Sequence, residues 1–223
     1  MRTLAHICLS VVSACIIVAT PFSADASGRF SATEPTSHPM TKGMPPGPGS
    51  AAPNITMTDS SGRSFPLSSL RGQVVVLEWT NFECPYVARH YSSGSMQSAQ
   101  RQAMAAGVTW ITILSSAPGK QGYLDGRGAD YFTAQKNATP SAKVLDPTGA
   151  VGRTFGARTT PHMFVINSRG DIIYAGAIDD QPHAVVEAGT PTRNYVLEAL
   201  SAVRLGRAPR VRSTAAYGCS IKY

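Results

Sequence analysis

The stretch Val74–Val87, VVVLEWTNFECPYV, constrains the fold of this chain more than any other. From Val74 to Trp79 it is an almost continuous run of β-branched, aliphatic and aromatic side chains, the pattern of a strand buried on both faces. A short polar turn follows. Pro85 then suits the first position of a helix, where no backbone N–H is needed. A buried strand handed directly to a helix implies α/β architecture. It also sets Cys84 at the helix entrance, where the unpaired N–H groups of the first turn favour a thiolate and make the sulfur a candidate nucleophile.

The 223 residues, 43% hydrophobic and 15% charged, suffice for one ordinary core and are too few to need two. Residues 1–26 read as an export signal. Arg2 supplies a positive start, Ile7–Ala19 is apolar but too short for a permanent bilayer anchor, and Ala24, Asp25 and Ala26 form a small-x-small cleavage site. The expectation is an exported, periplasmic protein with no integral membrane segment once the signal is removed. A rival reading takes Val12–Cys15 as a lipobox that tethers the chain through Cys15, but the apolar run continues through Ile16, Ile17 and Val18, unlike a lipoprotein linker. Residues 27–53 are rich in Pro, Gly, Ser and Thr and read as a disordered linker, leaving 54–223 as the folded domain.

Loss of the signal removes Cys8 and Cys15, and one charge of each sign with Arg2 and Asp25, so the +7 balance is unchanged. Two thiols, Cys84 and Cys219, remain, and in an oxidising compartment they invite a structural or redox-active disulfide. Much of the positive charge lies on Arg204, Arg207, Arg210, Arg212 and Lys222, without interleaved aromatics or a nucleic-acid motif. A solvated basic face is expected, and nucleic acid is not an expected partner.

Apolar periodicity predicts strands at Ile55–Thr58, Gln73–Trp79, Val108–Leu114 and Lys143–Leu145, and a hairpin of His162–Asn167 with Asp171–Ala175. Helices are predicted from Pro85 to about Ala106, from Ala129 to Asn137, as a helical turn over Pro147–Phe155, and from Thr192 to Leu205. The expected class is α/β with a mixed central β-sheet flanked by helices.

This order, with the Cys84–Pro85 helix start and Thr160–Pro161 leading into a hairpin, resembles the thioredoxin fold in the branch shared by peroxiredoxins and periplasmic thioredoxin-like oxidoreductases. Residues 79–85 (WTNFECP), 115–119 (SSAPG), 159–162 (TTPH), 176–180 (GAIDD) and 217–220 (YGCS) are similar to a peroxiredoxin-like redoxin subgroup of the alkyl hydroperoxide reductase C and thiol-specific antioxidant type. The similarity spans about residues 53–223. It implies a cis Pro161 beside the active thiol, Thr160 offering its backbone to an extended substrate, a peroxide or disulfide substrate, a thiol reductant protein as partner, and no cofactor.

The departures from these patterns limit what carries over. Val87 stands where thioredoxins place a second cysteine, which excludes dithiol exchange through that turn. Asn81 stands three residues before Cys84, where peroxiredoxins use Thr or Ser, and Pro161 falls where they place an arginine; Asn81 can still donate a hydrogen bond and Arg158 is near in sequence. His162, next to the proline, is a candidate base or thiolate stabiliser unless strand alternation aims it into the core or solvent. Arg89 is expected on a solvated helix face, His90 in a packing or capping role, Glu83 as a charge opposing the thiolate, and Trp79 as core wall at the base of the site. Cys219 sits on a short tail after Gly218. It is a candidate to resolve a sulfenic acid or mixed disulfide formed at Cys84, within one chain or across a dimer. A permanent bridge or a buried free thiol is the alternative.

The leading expectation is an exported thiol oxidoreductase, antioxidant or thiol-disulfide in type. Cys84 is its nucleophile, Asn81 and the helix start at Pro85 stabilise the anion, and Thr160, Pro161 and His162 form the substrate side. The alternative is a non-catalytic binding module that holds a partner in the cis-proline groove. Copper or zinc binding by Cys84, Cys219 and His162 lacks a close-spaced ligand pair, and no metal is expected.

Overall fold

A computed structural model describes residues 44–187 and 189–223, so the signal reading and most of the linker reading lie outside the described residues. The central strand is β3 (Val75–Trp79), all five of its residues buried. It pairs in parallel with β4 (Thr109–Leu114) and antiparallel with β7 (His162–Ile166), Trp79 lying opposite His162. The full sheet runs β2-β1-β5-β4-β3-β7-β8, with β1 at Thr56–Asp59, β2 at Ser64–Pro66, β5 at Ala142–Leu145 and β8 at Ile172–Gly176. This is the expected mixed sheet of a thioredoxin-like α/β fold. The helices are α1 (Pro85–Ser92), α2 (Ser95–Ala105), α3 (Gly126–Gln135), α4 (Ala150–Phe155) and α5 (Tyr195–Arg204). Among the described residues no helix is long and apolar enough to cross a membrane.

Alternation along β3 divides the interior in two. Val75, Leu77 and Trp79 join Ile111, Ile113, Phe155 and Phe164 on one side of the sheet. Val76 faces the other side, with Trp110, Met163, Val87, Tyr91 and Cys84. In the first cluster the rings of Trp79, Phe155 and Phe164 meet pairwise at 5.3–5.5 Å between centroids.

Three features depart from the sequence reading. The single helix expected from Pro85 to about Ala106 is broken at Gly94, which takes a left-handed backbone with φ +76. The serines around it favour the break: the Ser93 and Ser95 hydroxyls both donate to the His90 carbonyl and so compete with helix continuation. The expected linker is docked over its last residues. Gly49 N–H donates to Ile172 O, Ile172 N–H to Ser50 O, and Ala52 N–H to Gly170 O, so the segment pairs along β8. Prolines do not prevent this, because an edge segment needs only some of its N–H groups. Finally, two short strands absent from the reading, β6 (Thr159–Thr160) and β9 (Cys219–Ser220), form a separate two-stranded sheet.

Phe164→Ala removes the ring shared by two aromatic contacts of the buried cluster and is expected to cost about 3–5 kcal/mol. Urea unfolding would register this as a lower midpoint at unchanged slope.

Candidate active site

Cys84 is the N-cap of α1, in extended conformation, with Pro85 exposed at the first helical position. The Cys84 N–H donates to Asn81 O at 2.9 Å and its carbonyl accepts from Ala88 N at 2.8 Å, which fixes the handover from β3 to α1. Asn81 shapes this turn: its Oδ1 accepts the Glu83 N–H at 2.9 Å, and its Nδ2 points to Gln121 O at 3.4 Å. Glu83 is exposed and accepts the Gly122 N–H at 3.2 Å, so its charge is aimed at the 115–122 loop. The loop therefore borders the site through Gln121 and Gly122.

The Cys84 side chain is fully buried. Its sulfur lies 3.2 Å from the Thr160 carbonyl oxygen and 2.7 Å from the sulfur of Cys219, and the two thiols are not bonded. Pro161 follows a cis peptide bond. The tail reaches this place because β9 pairs antiparallel with β6, Cys219 beside Thr160 and Ser220 beside Thr159. Gly218 makes the approach possible. It has φ +126, and a Cβ there would collide with the Thr160 carbonyl oxygen. Beyond the thiol, Ile221 N–H donates to Arg158 O at 3.0 Å, Ala117 N–H to Lys222 O at 2.8 Å, and the Tyr223 hydroxyl to Ala157 O at 2.9 Å.

The two thiols differ in acidity. Burial opposes ionisation of Cys84, but the Cys219 hydrogen bond and the Val87 N–H at the helix start together hold its pKa below the usual thiol value. Burial and the neighbouring Cys84 charge push Cys219 up. The pair is therefore arranged to place negative charge on Cys84 and keep the proton on Cys219.

Other candidate residues lie elsewhere. His162 is turned to the opposite side of the sheet from Cys84: its ring sits 4.8 Å from Phe164 and its Nδ1 accepts the Arg158 N–H at 3.3 Å. Alternation along β7 is the reason, and burial followed by the Arg158 charge lowers its pKa to about 4. His162 thus does not join the two cysteines. Trp79 is core, as expected, but on that same opposite side, its Nε1 donating to Ser115 Oγ at 3.1 Å. Arg89 is not on a solvated face. Its guanidinium pairs with Asp179 at 3.3 Å and contacts the Tyr217 hydroxyl at 2.8 Å.

Sequence reasoning passed over Glu78. It is fully buried on the Cys84 side of the sheet and accepts from Trp110 Nε1 at 2.8 Å, the Tyr91 hydroxyl at 2.9 Å and Gln100 Nε2 at 3.2 Å. Burial raises its pKa despite these donors. The signal was present as a lone carboxylate inside an apolar strand run, a residue type that is almost never fully buried without partners.

A redoxin family model matches residues 47–190. The chain belongs to the redoxin family. Among solved structures, this redoxin is similar to an uncharacterized conserved protein from Geobacillus kaustophilus, at TM-score 0.70 and 22% identity over 81% of this chain and 94% of that one. It is also similar to a hypothetical protein from Sinorhizobium meliloti 1021, at TM-score 0.65 and 18% identity over 81% and 95% of the two chains. At such identities the likeness is one of fold. No curated protein matches the chain. The family match ends before Cys219, so the tail thiol of this redoxin is described by its own geometry alone.

Gly218→Ala is expected to lift β9 from Thr160 and slow formation of an 84–219 disulfide by at least about tenfold, measured as loss of free thiol after mild oxidation. Glu78 gives a pH signature. Because folding raises its pKa, its stabilising contribution is full below the unfolded value of about 4.5 and is lost as pH rises through the folded value. Glu78→Gln should abolish that decline in urea-unfolding stability.

Proposed function

We propose that this redoxin is an exported thiol oxidoreductase in which Cys84 is the attacking thiol and Cys219 closes an intramolecular disulfide upon it. The observation that carries the reading is the 2.7 Å approach of two free thiols, one at a helix start and the other on a paired tail strand. A thiolate attacks only as fast as it is populated and nucleophilic, and Cys84 is the sulfur that meets the first condition. With a peroxide, Cys84 attacks one oxygen, the O–O bond breaks, the alcohol or water leaves, and a sulfenic acid remains. Cys219 then attacks the Cys84 sulfur and expels water. With a disulfide, Cys84 forms a mixed disulfide and Cys219 displaces the remaining thiol. Both routes end at the 84–219 bond, which an external thiol reductant reopens.

The disulfide route is favoured here. The Thr160 edge accepts an extended, cysteine-bearing strand with its sulfur on Cys84, as the tail itself does. By contrast, the Asn81 side chain is engaged in its turn and with Gln121, which leaves it ill-disposed to polarise a peroxide. Thr160 and Pro161 form the substrate side of this reading. Export to a periplasm is read from residues 1–26 and suits a thiol pair whose reaction ends in a disulfide.

Protein isolated without reductant is expected to carry the 84–219 bond, seen by peptide mass mapping. Alkylation of reduced Cys84 should show a midpoint below about 8.5. Cys219→Ser should trap Cys84 as a mixed disulfide when mixed with a small disulfide, and react more slowly with peroxide in stopped flow. Turnover unchanged by Cys219→Ser would remove the closing role. A normal or raised Cys84 midpoint would favour a binding module.

A further inference from the structure

The tail has an anchor immediately before its thiol. Tyr217 sits in a socket made by Arg89 and His90 of α1 and by Asp179, which follows β8. Its hydroxyl donates to Asp179 Oδ1, accepts from Arg89 Nη2 at 2.8 Å and lies 3.1 Å from His90 Nε2. Its ring stacks on His90 at 6.3 Å. Arg89 and Asp179 close on each other at 3.3 Å, with side chains only 11% and 6% exposed. This is a built polar site rather than a surface ion pair, and one of its walls is the helix that Cys84 begins.

The chain between socket and thiol is minimal. Gly218 alone separates Tyr217 from Cys219, and it rests against the Thr160 carbonyl. Since one residue spans at most about 3.6 Å, a seated Tyr217 leaves Cys219 almost no freedom along the β6 edge. The other end of the tail is fixed differently, by Tyr223 over Arg153 at 4.6 Å and on Ala157 O.

We propose that Tyr217 is a positioning residue: seated between Arg89 and Asp179, it registers Cys219 on Cys84 and keeps β9 on the Thr160 edge, closing that edge to an external extended disulfide until the tail leaves. This rests on the reading of Cys84 and Cys219 as a redox pair and adds what controls access to it. A strand edge accepts one partner at a time, and a tethered partner competes at an effective concentration that no dilute external strand matches. In the reaction, the Cys84 thiolate attacks one sulfur of an external disulfide, and the second thiolate leaves and takes a proton from water. The tail then returns, Cys219 gives its proton to water, and its sulfur attacks Cys84 and expels the first substrate thiolate. The substrate gains two electrons and the 84–219 bond holds the oxidation. The same anchor therefore slows the first step and speeds the second.

Those opposite effects make the test. The probe is a fluorescently labelled peptide dimer joined by one disulfide, mixed with the full reduced chain. Mixed-disulfide formation at Cys84 is followed in Cys219→Ser, and closure with release of the labelled thiol is followed with Cys219 present. Tyr217→Phe is expected to raise the first rate and lower the second, each by about tenfold. Asp179→Asn should act in the same two directions and serves if Tyr217→Phe does not fold. Damage to the fold alone would lower both rates, and that outcome overturns the proposal, as do two rates within about twofold of the unmodified chain. If the unmodified chain reacts but never closes, the redox-pair reading falls together with the anchor. Normal closure that Tyr217→Phe leaves unmoved sinks the anchor alone.

Discussion

Two backbone pairs, Thr160 with Cys219 and Thr159 with Ser220, hold the end of the chain across the mouth of the Cys84 site. Without that seam Cys219 would be a solvated tail thiol and Cys84 a helix-start cysteine without a partner. The seam depends in turn on Gly218, because any side chain there meets the Thr160 carbonyl. The seam is only two residue pairs long, and Tyr217, Cys219 and Ile221 around it are partly buried against the core, so backbone hydrogen bonds and packing together place the sulfur. On the proposed function, the same seam serves a thiol catalyst by holding the partner sulfur in register.

Burial acts twice at this site and in opposite senses. It penalises charge on both sulfurs, but the Cys219 hydrogen bond and the Val87 N–H at the start of α1 offset the penalty at Cys84, while the neighbouring Cys84 charge adds to it at Cys219. The difference in acidity is a product of position, since the two residues are chemically identical. Glu78, on the same side of the sheet, shows the limit of such compensation: with several donors around it, desolvation still prevails.

Much of the sheet was legible in the chain because its strands are short apolar runs with clear boundaries. Val75–Trp79 and Thr109–Leu114 are each bounded by turn residues and buried almost throughout. The Cys84–Pro85 helix start was legible for the same local reason. The break at Gly94 was less so, since a single glycine among serines is compatible with a continuing helix until hydrogen bonds to the His90 carbonyl are counted. His162 was a candidate for the site because it follows Pro161, and Trp79 was expected as core wall at its base, but alternation sends both to the far side of the sheet.

What the sequence determined by itself was local: a buried strand, a thiol at a helix start, a proline-led hairpin, and a second thiol near the end of the chain. These follow from periodicity and from the conformational limits of Pro and Gly, which act over a few residues. Only the tertiary structure decided that Cys219 lies on Cys84, that Arg89 faces Asp179 and Tyr217 rather than solvent, and that residues 49–52 pair along β8. Each is a contact between segments distant in the chain, and its energy depends on desolvation and register, which no local pattern of residues encodes.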